Sequence, residues 1–171
     1  MIGGQMVRAT RVLMTADTVG GVWTYALDLA RLLAGRGCEV TLATMGSYLP
    51  HAEALAVART RNIHLHESDF KLEWMEDPWA DVAQAGEWLL ELAAKTRPDV
   101  VHLNHYAHGN LPWGAPVLMT AHSCVLSWWE AVKGVPAPAQ WNRYTEAVRR
   151  GLHAADLVVA PTQAMLHALH R

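Results

Sequence analysis

Residues 11–22 decide the fold, and they read RVLMTADTVGGV. The start of this stretch is mostly apolar, which is typical of a strand that is covered on both faces of a sheet. Gly20 and Gly21 then break the strand, and a helical pattern begins at Val22. A strand that ends in glycines and re-enters a helix points backbone N–H groups and the positive end of the helix dipole at one place. Because phosphates bind at such places, this turn is the first candidate for a ligand site.

The glycine turn differs from the common phosphate-binding loops. Thr18 and Val19 precede Gly20, so the turn lacks the Gly-x-Gly-x-x-Gly pattern of dinucleotide-binding proteins. No Gly-Lys-Ser or Gly-Lys-Thr follows it, so it is not a P-loop. Two interpretations stay open: the glycines make only a tight strand-to-helix turn, or their backbone contacts a phosphate or a sugar.

The composition indicates a globular domain that does not bind nucleic acid. The chain has 171 residues, of which 51% are hydrophobic and 18% are charged, so it can bury a core and is too apolar to be disordered. Its formal net charge is −2 and it has no basic block. A phosphate-backbone footprint is therefore not predicted.

The cysteines and the hydrophobic segments predict a cytoplasmic protein. Cys38 and Cys124 are far apart and have neither metal-ligand nor redox spacing, so we expect buried free thiols in a reducing compartment. The first residues do not form a signal peptide, and no apolar run is long enough to span a membrane.

Strands and helices alternate along the chain, which predicts an α/β, Rossmann-like parallel sheet with helices on both faces. Residues 1–9 show no periodicity and are predicted to be a flexible tail, so the domain spans residues 10–171. No repeat or linker interrupts this domain. The sequence stops inside a helical pattern, which predicts either a piece of a longer protein or a domain whose last helix is completed elsewhere. The predicted strands are 10–16, 38–44, 63–67, 99–104, 116–121 and 156–160; the predicted helices begin at Val22, His51, Pro78, Cys124 and Trp141, and Thr162 caps a last one.

Polar residues and glycines follow three of the predicted strands, and these positions form the candidate site. In an open parallel sheet, ligands bind outside the carboxyl ends of the strands, where the strand order reverses. The convergence of several such positions at one edge is a stronger argument than any single motif. They are residues 17–21, which include Asp17, Gly20 and Gly21, after the first strand, residues 104–106 (Asn104, His105 and Tyr106) after the fourth, and His122 and Ser123 after the fifth.

Among the polar residues of this set, His122 is the candidate for chemistry. It is either a structural histidine or a polar group that contacts substrate hydroxyls or supports charge at a reacting carbon. Ser123 lacks the Gly-x-Ser-x-Gly turn of a nucleophile. His102, His105 and His108 have a spacing of three, but no carboxylate or thiolate joins them, so neither a metal site nor a cofactor is predicted.

Tryptophans lie near the same edge in the sequence. Trp113, Trp128 and Trp129 are able to stack on sugar rings or to pack in the core or against a second domain, and both interpretations stay open. Residues 68–78 are irregular and are predicted to be a loop that touches the sheet layers or a partner.

Taken together, four blocks of sequence resemble glycosyltransferase family 4. They occur in the order and at the spacing of that family, and they cover nearly the whole chain. The blocks are residues 20–40, which begin GGVW and end LAGRGCEV, residues 97–102 (RPDVVH), residues 116–123 (PVLMTAHS) and residues 151–162 (GLHAADLVVAPT).

The resemblance implies the N-terminal, acceptor-side domain of a two-domain enzyme with the glycosyltransferase B fold. It implies a metal-independent transfer, with retention, of a sugar from a nucleotide-sugar donor to an acceptor. Gly20 and Gly21 would approach the donor diphosphate or the acceptor, His122 would be the active-site histidine beside the transferred sugar, and residues 104–106 would face the acceptor. We add Ser123 and Trp128 as candidate substrate contacts.

One part of the family pattern is missing from this sequence. The C-terminal donor domain carries two glutamates separated by seven residues, and no such pair occurs here. We therefore expect this chain to bind donor weakly and to be inactive by itself, because one wall of a cleft cannot exclude water. An apolar surface left by the missing domain predicts self-association, and a lipid acceptor would bring the protein to a membrane surface.

Two other functions compete with this interpretation. One is a stand-alone Rossmann-like domain that binds a ligand or regulates without transferase chemistry. The other is a nicotinamide-dependent oxidoreductase, which needs an acidic residue at the end of the second strand. That strand ends in Ala43, Thr44 and Met45 instead, which makes this the weakest of the three.

Overall fold

Six parallel strands form one sheet in a computed structural model that describes residues 8–169. The order of the strands across the sheet is β3-β2-β1-β4-β5-β6. The strands are β1 (Arg11–Asp17), β2 (Glu39–Met45), β3 (Ile63–Glu67), β4 (Val100–Leu103), β5 (Val117–Thr120) and β6 (Leu157–Val159). The helices are α1 (Gly21–Gly35), α2 (His51–Ala58), α3 (Trp79–Thr96), α4 (Val125–Lys133), α5 (Asn142–Ala154) and α6 (Gln163–Ala168), and a 3-10 turn (Ala139–Trp141) precedes α5. This confirms the predicted α/β, Rossmann-like class.

The strand order reverses beside β1. The chain moves outward from β1 to β2 and β3, then returns across the sheet to place β4 on the other side of β1. The carboxyl ends of β1 and β4 therefore flank the point where a doubly wound sheet opens for a ligand.

Helices cover both faces of the sheet because alternate residues of each buried strand point to opposite faces. Val12 and Met14 of β1 belong to the same hydrophobic cluster as the buried side of α1. Leu13 lies between them in sequence and packs with Ala85 and Leu89 of α3. Their near-continuous apolar sequence is what this two-sided burial requires.

Side-chain contacts fix both ends of the described part of the chain. Thr162 caps α6, and its hydroxyl accepts a hydrogen bond from the backbone N–H of Met165 at 3.2 Å. Arg8 pairs with the carboxylate of Asp99 at the start of β4. The rest of the predicted tail, residues 1–7, and the last two residues of the predicted final helix lie outside the described residues. Between residues 8 and 169, the helices are too short or too polar to cross a bilayer.

Helix α5 packs directly on the backbone of the segment that follows β4. A Cβ atom at Gly151 of α5 would overlap the carbonyl oxygen of Tyr106, and a Cβ atom at Gly109 would lie 2.5 Å from the carbonyl oxygen of Gly151. Only glycine fits at these two positions. This contact fixes the segment that carries residues 104–108 of the candidate site.

We predict that Gly151→Ala lowers the free energy of unfolding by about 2–3 kcal/mol, because backbone must move to admit one methyl group. Gly35→Ala is the matched control, since a Cβ atom there meets open space and alanine favours a helix. It should leave stability unchanged or raise it slightly. Urea unfolding followed by circular dichroism measures both, and a Gly151→Ala variant as stable as the wild type would contradict the close contact.

Candidate functional site

The carboxyl ends of β1, β4 and β5 meet at one narrow pocket of about 50 Å³. Asp17, Asn104 and His122 follow or end these strands and line it together. His105, Tyr106 and Ser123 from the predicted set also line it, as do residues of the loop before α3, including Lys71, Glu73 and Trp74. The structure thus brings together most of the predicted residues, although Gly20, Gly21 and Trp128 are not in the lining, and it adds side chains of the loop that was predicted at residues 68–78.

The glycine turn lies at the exposed rim of this edge. Gly20 is the N-cap of α1 and has a φ of 82°, a left-handed conformation that favours glycine. Gly21 begins the helix, and a Cβ atom there would meet no other atom within 4 Å. The carboxylate of Asp17 accepts a hydrogen bond from the backbone N–H of Val19 at 2.7 Å, which fixes the turn. The first N–H groups of α1 therefore face open space at the rim.

His122 is held by three neighbours. Its Nε2 lies 2.9 Å from Oδ1 of Asn104, its ring packs edge-on against Tyr25 at a centroid distance of 5.0 Å, and its carbonyl oxygen accepts a hydrogen bond from the hydroxyl of Tyr106. Burial lowers the pKa of His122, which favours the neutral ring at neutral pH.

Asn104 orients His122 because hydrogen bonds to Thr15 of β1 fix the side-chain amide of Asn104. Its Nδ2 donates to the carbonyl oxygen of Thr15 at 2.7 Å, and its backbone N–H donates to Oγ1 of Thr15 at 3.0 Å. The amide oxygen is thereby turned toward His122, so Nε2 of the imidazole carries the proton that it donates. This leaves Nδ1 as the unprotonated nitrogen of the neutral ring, able to accept a hydrogen bond from a hydroxyl.

His105 and His108 form a buried chain of hydrogen bonds. Oγ1 of Thr15 lies 3.2 Å from Nδ1 of His105, Nε2 of His105 lies 2.6 Å from Nδ1 of His108, and Nε2 of His108 lies 2.8 Å from the carbonyl oxygen of Val82. Every donor meets an acceptor only when both rings are neutral. Burial, the largest cause, lowers the pKa of both histidines and favours that state.

Two buried tyrosines hold the segment after β5. The hydroxyl of Tyr106 donates to the carbonyl oxygen of His122, and Tyr144 packs in the same hydrophobic cluster as Tyr106 and Val125. Burial raises the pKa of both phenols, so each stays protonated. Asn104, His105 and Tyr106 therefore use their polar atoms within the protein, and they position the site. Their direct contact with an acceptor stays a prediction.

Glu73 is a buried carboxyl group that sequence reasoning did not select. Its two oxygens accept hydrogen bonds from the backbone N–H groups of Tyr106, at 3.1 Å to each oxygen, and Ala107, at 2.6 Å. Burial raises the pKa of Glu73 to about 7, and the nearby Asp17 adds to the rise. The pKa of Asp17 is also raised by burial. Glu73 comes from an irregular loop. The only signal for it in the sequence is a charged residue placed between two apolar ones, Leu72 and Trp74.

Of the remaining predicted residues, one lies at the rim of this pocket and the other lies outside it. Ser123 is exposed at its rim, whereas Trp128 is 47% exposed on α4, packs edge-on against Trp129 and lines neither this pocket nor the neighbouring cleft. Trp113 is partly buried and its indole N–H donates to the carbonyl oxygen of His108 at 2.9 Å. Across residues 8–169, no group of three or more His, Cys, Asp or Glu side chains is arranged to hold a metal ion.

The arrangement is suited to binding rather than to nucleophilic attack. The open helix N-terminus at Gly20 and Gly21 attracts an anionic group, and the neutral imidazole of His122 offers one hydrogen bond to a hydroxyl. A pocket of about 50 Å³ holds roughly one or two water molecules, so a larger ligand must lie across its mouth.

Comparison with solved structures shows that this sheet is one half of a glycosyltransferase B fold. UGT2 of Phytolacca americana, complexed with UDP-2-fluoro-glucose and pterostilbene, aligns with a TM-score of 0.62 and 12% identity over 96% of this chain and 51% of that chain. A UDP-glucosyltransferase from Polygonum tinctorium capable of glucosylating indoxyl aligns with a TM-score of 0.62 and 12% identity over 96% and 50%. A glycosyltransferase from Rickettsia africae aligns with a TM-score of 0.55 and 14% identity over 90% and 43%.

The chain spans about half the length of the structures it matches. No curated protein matches the sequence significantly. The family model described as Glycosyltransferase Family 4 matches residues 19–171. The chain therefore belongs to glycosyltransferase family 4, and its fold is consistent with the N-terminal domain of such an enzyme.

We predict that Glu73→Gln removes a pH dependence of stability. The folded pKa of Glu73, about 7, lies above its ordinary value of 4.5, so its contribution to stability is complete below pH 4.5 and is lost as the pH rises through 7. Between pH 4.5 and pH 7, the free energy of unfolding of the variant should rise relative to that of the wild type by on the order of 3 kcal/mol.

Chemical unfolding at a series of pH values measures this gain. Glu91→Gln, which removes an exposed carboxylate from α3, is the matched control and should show a much smaller change. A constant difference between Glu73→Gln and the wild type across this range would contradict the raised pKa.

Proposed function

We propose that this chain is the acceptor-side domain of a retaining glycosyltransferase, which moves a sugar from a nucleotide-sugar donor to an acceptor hydroxyl. The observation that carries the proposal is the convergence of the α1 N-terminus and His122 at the switch point of a family 4 domain. The retaining outcome follows from the resemblance to the family. Solved neighbours with this fold are complexed with UDP-2-fluoro-glucose or UDP, which supports a nucleotide-sugar donor.

Each part of the site has a role in this proposal. The N–H groups at Gly20 and Gly21 and the positive end of α1 approach the donor diphosphate or the acceptor across a cleft. The Nδ1 atom of His122 accepts a hydrogen bond from a hydroxyl of the transferred sugar. Asn104 keeps the imidazole in the orientation that this contact needs.

The size of the pocket supports a need for a second domain. A nucleotide sugar is far larger than about 50 Å³, so the donor lies on this edge and is enclosed by another wall. Electrostatic stabilisation of a leaving diphosphate requires a site from which water is excluded. We therefore propose that the chain alone binds donor weakly and does not catalyse transfer, and that domain closure completes the site.

The proposal also covers the compartment of the protein and the surfaces that contact other domains. Cys38 and Cys124 are free thiols, which suits the reducing cytoplasm. Exposed apolar side chains on α4 and β6, such as Trp128 and Leu157, are candidates for contact with the second domain or for self-association.

His122→Ala in the complete native protein should lower kcat/KM for sugar transfer by about 100-fold, because one preorganised hydrogen bond at the reacting sugar is lost. Steady-state kinetics with donor and acceptor measures the change, and thermal unfolding verifies that the variant is folded. His153→Ala, an exposed histidine on α5, is the control and should keep wild-type turnover. Unchanged turnover of His122→Ala would remove His122 from the active site.

Gly21→Val should weaken nucleotide-sugar binding by about tenfold, since a branched side chain at the start of α1 blocks the approach to its N–H groups. A Cβ atom at Gly21 meets no other atom within 4 Å, so we expect the fold to be unaffected. Gly35→Val, at the other end of the same helix, serves as the control. If calorimetry shows the same affinity for Gly21→Val and the wild type, the turn is only structural.

A further inference from the structure

A second cleft of about 420 Å³ opens beside the pocket at the strand ends. It lies between the loop that precedes α3 and the segment that enters α5. Its volume falls within the range of about 300–1,000 Å³ that is usual for small-molecule sites. Aromatic and apolar side chains form its walls, and carboxylates and an amide complete the lining: Trp79, Trp141, Tyr144, Met75, Pro78, Glu73, Glu76, Asp77 and Gln140.

Packing fixes the aromatic rings of this cleft. The guanidinium of Arg143 lies over the ring of Trp79, 4.6 Å from its centroid. Trp141 packs edge-on against Tyr144 at a centroid distance of 5.7 Å, and Tyr144 is buried in a hydrophobic cluster of the core. Trp79 and Trp141 are only partly buried, so each leaves surface for a ligand.

The polar side chains of the cleft suit a ligand rich in hydroxyl groups. Glu76, Asp77 and Gln140 are exposed, and their carboxylate and amide oxygens accept hydrogen bonds. Indole rings offer apolar planes for the C–H face of a sugar ring. Carboxylates repel an anionic ligand. An ammonium ligand gains no cation–π contact on the face of Trp79 that the Arg143 cation already covers.

The cleft and the pocket of the candidate site are neighbours with a common wall. Glu73 and Tyr144 line both the cleft and the narrow pocket, and His122 lies in the lining of the pocket. A molecule that fills the cleft therefore lies against the wall of the pocket that His122 lines.

We propose that this cleft binds the body of a neutral saccharide acceptor and directs one of its hydroxyls toward His122. The inference rests on the proposed transferase function and names its acceptor class. In the transfer, the acceptor oxygen bonds to the anomeric carbon of the donor sugar, and the bond from that carbon to the diphosphate oxygen breaks. The proton of the acceptor hydroxyl leaves on the diphosphate.

The direct test is nuclear magnetic resonance of the ¹⁵N-labelled chain, with the indole N–H signals of Trp79 and Trp141 as probes. Methyl α-glucoside, methyl α-mannoside, maltose and cellobiose are titrated, with tetramethylammonium and glucose 6-phosphate as charged probes. At least one neutral sugar should shift both signals with a Kd of about 1 mM or below, and the charged probes should shift them less. The proposal is overturned if no neutral sugar shifts the signals or if a charged probe binds more tightly.

Variants distinguish a specific site from weak surface contact. Asp77→Asn should weaken binding of the sugar by about tenfold, through loss of one charge-assisted hydrogen bond. Asparagine tolerates the left-handed backbone at this position, where φ is 42°, so the loop should keep its shape. Glu87→Gln on α3, outside the cleft, is the matched control and should not change the affinity. Equal affinity of Asp77→Asn and the wild type would contradict the proposed cleft.

The outcome is separable from that of the transferase proposal, because the titration uses neither donor nor turnover. If the sugars fail to bind while His122→Ala abolishes transfer in the complete protein, the cleft fails and the function stands. If a sugar binds in the cleft but no donor supports transfer, the cleft stands as a saccharide site and the transferase proposal fails.

Discussion

One buried hydroxyl, that of Thr15, organises the candidate site. Its Oγ1 accepts the backbone N–H of Asn104 and hydrogen-bonds with Nδ1 of His105, while the Thr15 carbonyl oxygen accepts the side-chain amide of Asn104. All these groups are inside the protein, where an unpaired polar group costs about 1–3 kcal/mol. The orientation of His122 therefore depends, through Asn104, on a residue in the middle of β1.

The segment after β4 needs this support because it is irregular backbone in a buried position. Glu73 satisfies the N–H groups of Tyr106 and Ala107 from the loop side, and Gly151 allows α5 to approach from the other. This arrangement places the carboxyl group of Glu73 in the interior, where burial raises its pKa and makes it hard to ionise. The same carboxyl lines both the pocket beside His122 and the aromatic cleft, so Glu73 supports the backbone of this segment and also shapes both cavities.

The sequence was sufficient for the fold and for the edge of the sheet that carries the candidate site. Strand-to-helix alternation specified the topology class, and the residues after each strand predicted which side chains would meet, because parallel strands share their carboxyl edge. The sequence was not sufficient to predict the contacts between residues that hold the site in place. Thr15, a polar residue inside an apolar strand, was the available signal for a buried hydrogen-bond network. The partners of Glu73 and Gly151 are distant in sequence, so no local pattern reveals them.

The central claim is that the turn at Gly20 and Gly21 and the imidazole of His122 share one ligand, which lies across the mouth of the pocket. A crystal structure of the complete native protein with a bound nucleotide sugar tests this most directly. The account predicts a sugar hydroxyl at about 3 Å from Nδ1 of His122 and diphosphate or sugar beside the first N–H groups of α1. A donor bound away from both, with His122 still paired only to Asn104, would contradict the account.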